Sequence, residues 1–565
     1  MSTQKPTLIA LASLILITSN LPNASAQTAS LNNAKPMSTS QILLTSEAGD
    51  KLATQPNVDF KHGSSSGVII HIDPKQLKQN ISGIGSSFTE SSAFILAHLD
   101  KNKRREVMQA IYGEDGANFS LARTVIGSTD FSVNGKYSHA SVEGDTALKH
   151  FTIAADSDGF KKSDYPLIKD ERFDLLPMIK EAQTIKQTQQ DATLQIIASA
   201  WTAPPWMKDI GTWFIKPSPE NKYQGTGGEL LPQYQATYAD YLVKYLDAYK
   251  AQGVKLWGLT PVNEPNGNSG QWESMHFTPQ TQNHFIKKHL GPKLANSDHK
   301  AINLLIYDQN RDHLEEWADA ILSDKETTPY VYGVAVHWYA STYKVFEKEL
   351  KNVSQKYPNF PIIHTEGTID DLGKPAPNGV ADPKGFQETN WFMNDAFWWN
   401  KNATDWAYSA SWAPNREDHP IYTPVHRYAR NIIVSLNHGV AGWIDWNVVL
   451  DEQGGPNHAG NFCGAPIMID VKKDIVYYTP IYDVLKQFSR TIRPGDKAVK
   501  TEVNRNNLDE DAIHASATLN SENLLSVQIL NTTKKPIQYA LQIKDQFAEV
   551  TIAANALQTV QIRLD

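Results

Sequence analysis

The sequence predicts an α/β protein: a (β/α)8 TIM barrel with a smaller antiparallel β-sandwich domain, formed from the C-terminus and the segment preceding the barrel. Three observations predict it. Between residues 83 and 447 eight short apolar runs alternate with amphipathic helical segments, the pattern of repeated strand–helix units. No GxGxxG loop follows any of these runs, so the phosphate-binding signature of an open doubly wound sheet is missing. Beyond Pro494 the helical signal stops, and LLSVQILNTT, QYALQIKD and AEVTIAANALQTVQIRL alternate at period two, as half-buried antiparallel strands do.

Taken in order, the chain opens on Lys5, the apolar stretch LIALASLILIT and an Ala24-Ser25-Ala26 site. This reads as a cleaved signal peptide over residues 1–26 and predicts a secreted or periplasmic protein. Residues 27–52 are rich in Ser, Thr, Asn and Gln without sustained periodicity, which predicts a flexible linker. Residues 53–80 include GVIIHIDP (67–74) and are expected to supply strands to the β-domain. The barrel is assigned to 81–490 and the C-terminal sandwich to 491–565. Its predicted strands are 83–88, 119–127, 194–201, 256–263, 302–307, 332–338, 360–366 and 441–447, with helices over 175–187, 234–253 and 425–439 among those between. One further helix carries its own punctuation: Thr278 caps it, Pro279 takes the first position, and Gly291-Pro292 is expected to stop it.

Composition narrows the function. With 53 basic and 61 acidic residues, a net charge of −8 and no long basic run, nucleic acid is excluded as a partner. A single cysteine, Cys463, forms neither an internal disulfide nor a thiolate zinc cluster, and reads as a small buried hydrophobe. HExxH, CxxC and calcium-loop spacings are absent, so a mechanism with no metal and no cofactor is expected.

The chemistry sits at two strand tips. The fourth predicted strand ends in Asn263-Glu264 and the seventh in HTEG with Glu366. In a barrel, catalytic groups project from the C-terminal ends of the strands, so these two carboxylates can face each other across the mouth. Hydrolysis of a glycosidic bond needs such a pair, one protonated for the departing oxygen and one ionised for the anomeric carbon. Asn263 is placed to hydrogen-bond a sugar 2-hydroxyl, which makes Glu264 the acid/base and Glu366 the nucleophile. An Asn-Glu pair that merely caps the next helix is the structural alternative.

Further segments narrow the family. STDFS (128–132), ASAWTAPPWMK (198–208), AVHWY (335–339) and GWIDWNVVLDEQGGPNHAGNFCGAPIMID (442–470) resemble glycoside hydrolase family 30, most closely its glucosylceramidase (glucocerebrosidase)-like branch. The resemblance implies a substrate wall in which Asp130 binds the outer hydroxyls of a terminal glucose, and Trp201 lines the same subsite. It also implies that His337 and Tyr339 frame the pocket, that Trp446 stacks on the sugar, and that Asn457 sits on the rim. A loop acid satisfied by Arg123 is the alternative for Asp130. Trp206, Trp272 and Trp443 are read as core as readily as sugar platforms, and stay outside the predicted site. The sequence after the nucleophile, Gly367-Thr368-Ile369-Asp370, and the polar insertion at 373–385 differ from the branch's pattern. They leave ceramide against sugar, and glucose against xylose, open. The expected partner is a β-glucoside, glycolipid or oligosaccharide; a lipid substrate would bring the protein to a membrane surface. An endo-β-1,6-glucanase or β-xylosidase is the alternative of the same chemistry, and a non-catalytic carbohydrate-binding protein the alternative of another class. Nothing in the sequence sets an oligomeric state.

Overall fold

The computed structural model describes residues 37–218, 226–267, 270–341, 344–368 and 424–564. The predicted signal peptide, residues 1–26, and the insertion at 373–385 lie outside them. Eight strands, β1 (Gly83–Ser87), β2 (Leu121–Ile126), β3 (Gln195–Ala200), β4 (Gly258–Thr260), β5 (Asn303–Asn310), β6 (Gly333–His337), β7 (Ile362–Glu366) and β8 (Val440–Asp445), pair in chain order into a closed barrel. Every pair is parallel, and β8 closes on β1 with Gly442 opposite Gly83. Closure needs glycine there: a Cβ on Gly85 would stand 1.7 Å from the Leu121 carbonyl oxygen. Leu121, Ile197, Leu305, Ala335, Ile363, Ala441 and Ile444 point inward and plug the barrel.

The predicted strands all form, most within two residues of their expected ends, and the fourth is cut far short. β4 covers three residues rather than Leu256 to Asn263, because Pro261 offers no N–H to the ladder. The tip beyond it stays tied to β3, since the Asn263 N–H donates to the Ala200 carbonyl at 2.6 Å. The helix Gln235–Ala251 buries a stripe of Tyr238, Tyr241, Tyr245 and Tyr249, and the Tyr238 hydroxyl donates to the Pro261 carbonyl at 2.7 Å. That helix therefore props the same tip from outside.

Two expectations about local structure are corrected. The helix begun by Thr278 and Pro279, with a complete capping box, does not stop at Gly291-Pro292. It passes through a π-turn over Ile286–Leu290 and continues as Gly291–Ala295. The wider turn takes up the proline, which has no N–H to give. The linker expected over 27–52 is a strand in its described part: Thr39–Ser46 pairs with Ala556–Arg563 on one side and Ala53–Gln55 on the other. Ile42 and Leu44 enter the sandwich core, and the polar Thr45 is satisfied by Gln487 at 2.6 Å, so a Ser/Thr-rich composition concealed a buried strand.

The β-sandwich is built on a ten-strand sheet drawn from both ends of the chain. It is not wholly antiparallel: the long strand Val68–Asn80 pairs antiparallel with Lys497–Asn504 but parallel with Ile537–Ile543. The segment before the barrel is inserted between strands of the C-terminal domain, and that insertion fixes its direction. The sandwich rests on the last barrel helices, where Gln487 in Pro480–Thr491 donates to the Thr559 hydroxyl at 3.0 Å and Asn437 to the Ala515 carbonyl at 2.8 Å.

Candidate active site

Strand alternation builds the floor of the site. Two residues above an apolar plug residue, the same strand face carries a polar one: Arg123 above Leu121, Ser199 above Ile197, His337 above Ala335, and Thr365 above Ile363. Arg123 is fully buried and donates to the Ser199 hydroxyl at 2.9 Å, to Asn263 Oδ1 at 2.6 Å, to Asp308 Oδ2 at 2.7 Å and to Glu366 Oε2. Alternation alone would send Asp308 outward with Tyr307 inward. Two successive left-handed residues, Tyr307 and Asp308 at φ +75° and +65°, reverse this, and the β5–β6 register shifts beside them. Asp308 thereby turns inward and also accepts from the Thr260 and Thr365 hydroxyls, each at 2.7 Å.

The two predicted carboxylates meet above this floor. One carboxylate oxygen each of Glu264 and Glu366 and one ring nitrogen of His337 lie within 4.8 Å of one another. Glu264 follows β4 in the left-handed region, φ +49°, and its N–H donates to the Asp308 carbonyl at 3.0 Å. A non-glycine residue held there costs on the order of 1 kcal/mol or more, and the neighbouring strand holds it. His337 bridges Glu264 Oε1 at 3.1 Å and Asp308 Oδ1 at 3.0 Å, and the Tyr339 hydroxyl donates to Glu366 Oε1 at 3.1 Å.

The charges follow from these neighbours. Burial opposes the charge on His337, yet Glu366, Asp308 and Glu264 around it raise its pKa to about 9. Burial also works against the Asp308 carboxylate, but Arg123 and His337 hold it well below the ordinary range. Glu366 is pushed up by burial and by the Glu264 and Asp308 charges, against the pull of His337 and Arg123.

The remaining predicted residues line one flank. Asp130 is buried, and burial, reinforced by the Glu273 and Glu366 charges, raises its carboxyl to about 7 against hydrogen bonds from Asn457 and Asn461. Asn457 Nδ2 donates to its Oδ2 at 2.9 Å and Asn461 Nδ2 at 3.4 Å. Arg123 is engaged with Asp308 and Glu366, so the expected alternative of an Asp130–Arg123 pair is not what forms. Trp201 and Trp446 stack on each other at 5.1 Å, the edge of Phe131 meets Trp446 at 5.9 Å, and the Arg123 guanidinium stands 4.8 Å from the Trp201 ring. One face of Trp446 is thus taken by Trp201. Trp443 is core, stacked on His364 at 3.6 Å.

Sequence reasoning missed Arg123 as the hub, Asp308 as its counter-anion, and Asn461. An arginine inside the apolar run FSLARTVIG was itself the signal, because a charge buried mid-strand requires anions around it. Asp308 carried the same signal as Glu264, an acid just past an apolar run.

Paired acids at the open end of a closed (β/α)8 barrel, over a buried arginine and beside an indole pair, define the glycoside hydrolase class. The chain belongs to glycosyl hydrolase family 30: the family's TIM-barrel domain matches residues 81–409 and 393–492, and its beta sandwich domain matches residues 497–560. A lysosomal acid glucosylceramidase of Mus musculus is 28% identical over 439 residues, covering 77% of this chain and 72% of that protein. An endo-1,6-beta-D-glucanase of Neurospora crassa is 29% identical over 286 residues, covering 50% of this chain and 52% of that one. The crystal structure of SrfJ from Salmonella typhimurium shares the fold with a TM-score of 0.74 at 21% identity, over 94% of this chain and 100% of that one.

Proposed function

We propose that this protein is a retaining β-glycosidase that releases a terminal β-glucose, with glucosylceramide-type β-glucosides as the preferred substrate class. The observation that carries the reading is the approach of Glu264 and Glu366 oxygens to within 4.8 Å. Retaining enzymes hold their carboxyl groups at about 5 to 5.5 Å, whereas inverting ones leave about 6.5 to 9.5 Å for a water. Glu366 attacks the anomeric carbon, and Arg123 and Tyr339 fix its two oxygens so that a lone pair faces the sugar. Glu264 gives its proton to the departing oxygen as the C–O bond breaks, and the proton is replaced when Glu264 takes one from the water that cleaves the glycosyl ester. Because Arg123 occupies Asn263 Oδ1, the amide presents its NH2 group, the donor a 2-hydroxyl oxygen accepts. Asp130, Trp201, Trp446 and Asn457 form the wall for the far side of the ring.

Similarity to a glucosylceramidase along most of the chain supports the glucosylceramide reading. The shorter match to an endo-1,6-beta-D-glucanase keeps a β-1,6-glucan as the second reading. The test is glucose release from an aryl β-glucoside, from glucosylceramide in detergent and from β-1,6-glucan, with the product anomer followed by NMR. First-formed β-glucose from glucosylceramide is the expected result; first-formed α-glucose overturns the mechanism, and turnover of the glucan alone overturns the substrate. The signal peptide expected from the sequence would place this hydrolysis outside the cytoplasm, which N-terminal sequencing of the exported protein checks.

A further inference from the structure

We propose that Glu273 and His458 are positioning residues: their ion pair clasps the loops after β2, β4 and β8 together and sets Asp130 in the register that receives sugar hydroxyls. The inference rests on the glycosidase reading above. Glu273 is fully buried; its Oε1 accepts from the Ser128 hydroxyl at 2.7 Å and its Oε2 lies 3.2 Å from His458 Nε2. His458 Nδ1 donates to the Ser132 carbonyl at 3.0 Å. The turn 128–132 is therefore gripped at both ends by one carboxylate–imidazole pair, with Asp130 at its centre. The backbone of the third loop completes the grip, since the His458 N–H donates to the Asp130 carbonyl at 2.9 Å while the adjacent Asn457 holds the side chain.

The pair works only in its charged form. A carbonyl and a carboxylate are both acceptors, so the ring must carry a proton on each nitrogen to bond both. Burial disfavours that charge, but Glu273, then the Ser132 carbonyl and then Asp130 raise His458 above the ordinary histidine value. His458 keeps Glu273 below the ordinary glutamate value despite burial. Among the described residues the other charged groups facing the pair are Asp130 itself and Lys208, whose buried ammonium donates to the Trp213, Gly227 and Ser274 carbonyls at 2.8 to 2.9 Å and so pins the residue next to Glu273. The clasp is closed between the lowered Glu273 pKa and the raised His458 pKa, and opens as pH climbs through the latter.

The test is a double-mutant cycle with kinetics on an aryl β-glucoside across pH, using wild type, Glu273→Gln, His458→Gln, Asp130→Asn and the Asp130→Asn/His458→Gln pair. Glutamine at 458 is uncharged and cannot replace both ring donors. The expected result is a rise of about tenfold in KM for His458→Gln with kcat held within about threefold, and no further rise when it is added to Asp130→Asn. In wild type KM should climb on the alkaline side, and in Glu273→Gln that climb should move to lower pH. Additive effects in the cycle, or an unmoved alkaline limb, overturn the clasp while leaving the glycosidase reading intact. Should Glu273→Gln fail to fold, the Asp130/His458 cycle decides alone. Wild type that turns over no β-glycoside overturns the glycosidase reading, and this inference with it.

Discussion

Four acceptors surround the Arg123 guanidinium, contributed by β3, by the tip after β4, by β5 and by β7. A lysine carries the charge but not the planar fork, so Arg123→Lys should lower kcat by about a hundredfold and depress the melting temperature, because one ammonium cannot satisfy all four buried acceptors. Glu366→Gln should abolish turnover with the fold retained, while Glu264→Gln should keep measurable activity on aryl glucosides whose leaving groups need no proton; equal and modest losses in the two variants would contradict the assigned roles. Glu366 must be ionised to attack, and its pKa is raised. Activity should therefore fall, as pH drops, at a higher pH than an ordinary glutamate would dictate. His337 gives a stability prediction of opposite sense. Its raised pKa, about 9, means that its contribution is complete below the unfolded histidine value of about 6.5 and is lost as pH rises through about 9. The melting-temperature gap between wild type and His337→Gln should narrow over that window.

At the scale of elements, the site is delivered by interruptions of regular structure. β4 ends early at Pro261, and Glu264 sits in a left-handed turn tied to β5. The consecutive left-handed residues in β5 rotate Asp308 inward. Alternation could be followed along β2, β3, β6 and β7 in the sequence, and it leads to Arg123, Ser199, His337 and Thr365. It fails at Asp308, because a local reversal of strand phase has no compositional mark. Strand Thr39–Ser46 was hidden for a different reason: Ser and Thr lower its apparent hydropathy, but Ile42 is 1% exposed in the sandwich core. Ile42→Ala should cost about 2 to 4 kcal/mol and lower the melting temperature; an unchanged value would mean that this strand is dispensable.

At the scale of the molecule, barrel and sandwich share buried polar groups. Gln487 accepts from Thr45 and donates to Thr559 and to the Leu557 carbonyl at 3.2 Å. Gln487→Ala should therefore destabilise the whole chain by about 1 to 3 kcal/mol, the cost of stranding buried donors and acceptors, and thermal scans should show it with the site's kinetics unaltered.

Hydrophobic period and punctuation are local, so the sequence by itself determined the eight strand–helix repeats, the C-terminal strands and the two acids at the tips of the fourth and seventh strands. It also carried the motifs of the family. The tertiary structure decided what depends on phase and partner: the Arg123–Asp308 pair beneath the acids, the stacking of Trp201 on Trp446, the strand Thr39–Ser46, and the direction in which residues 68–80 enter the sheet. These are contacts between residues far apart in the chain. Their energies arise from desolvation and pairing at positions that only closure of the barrel creates.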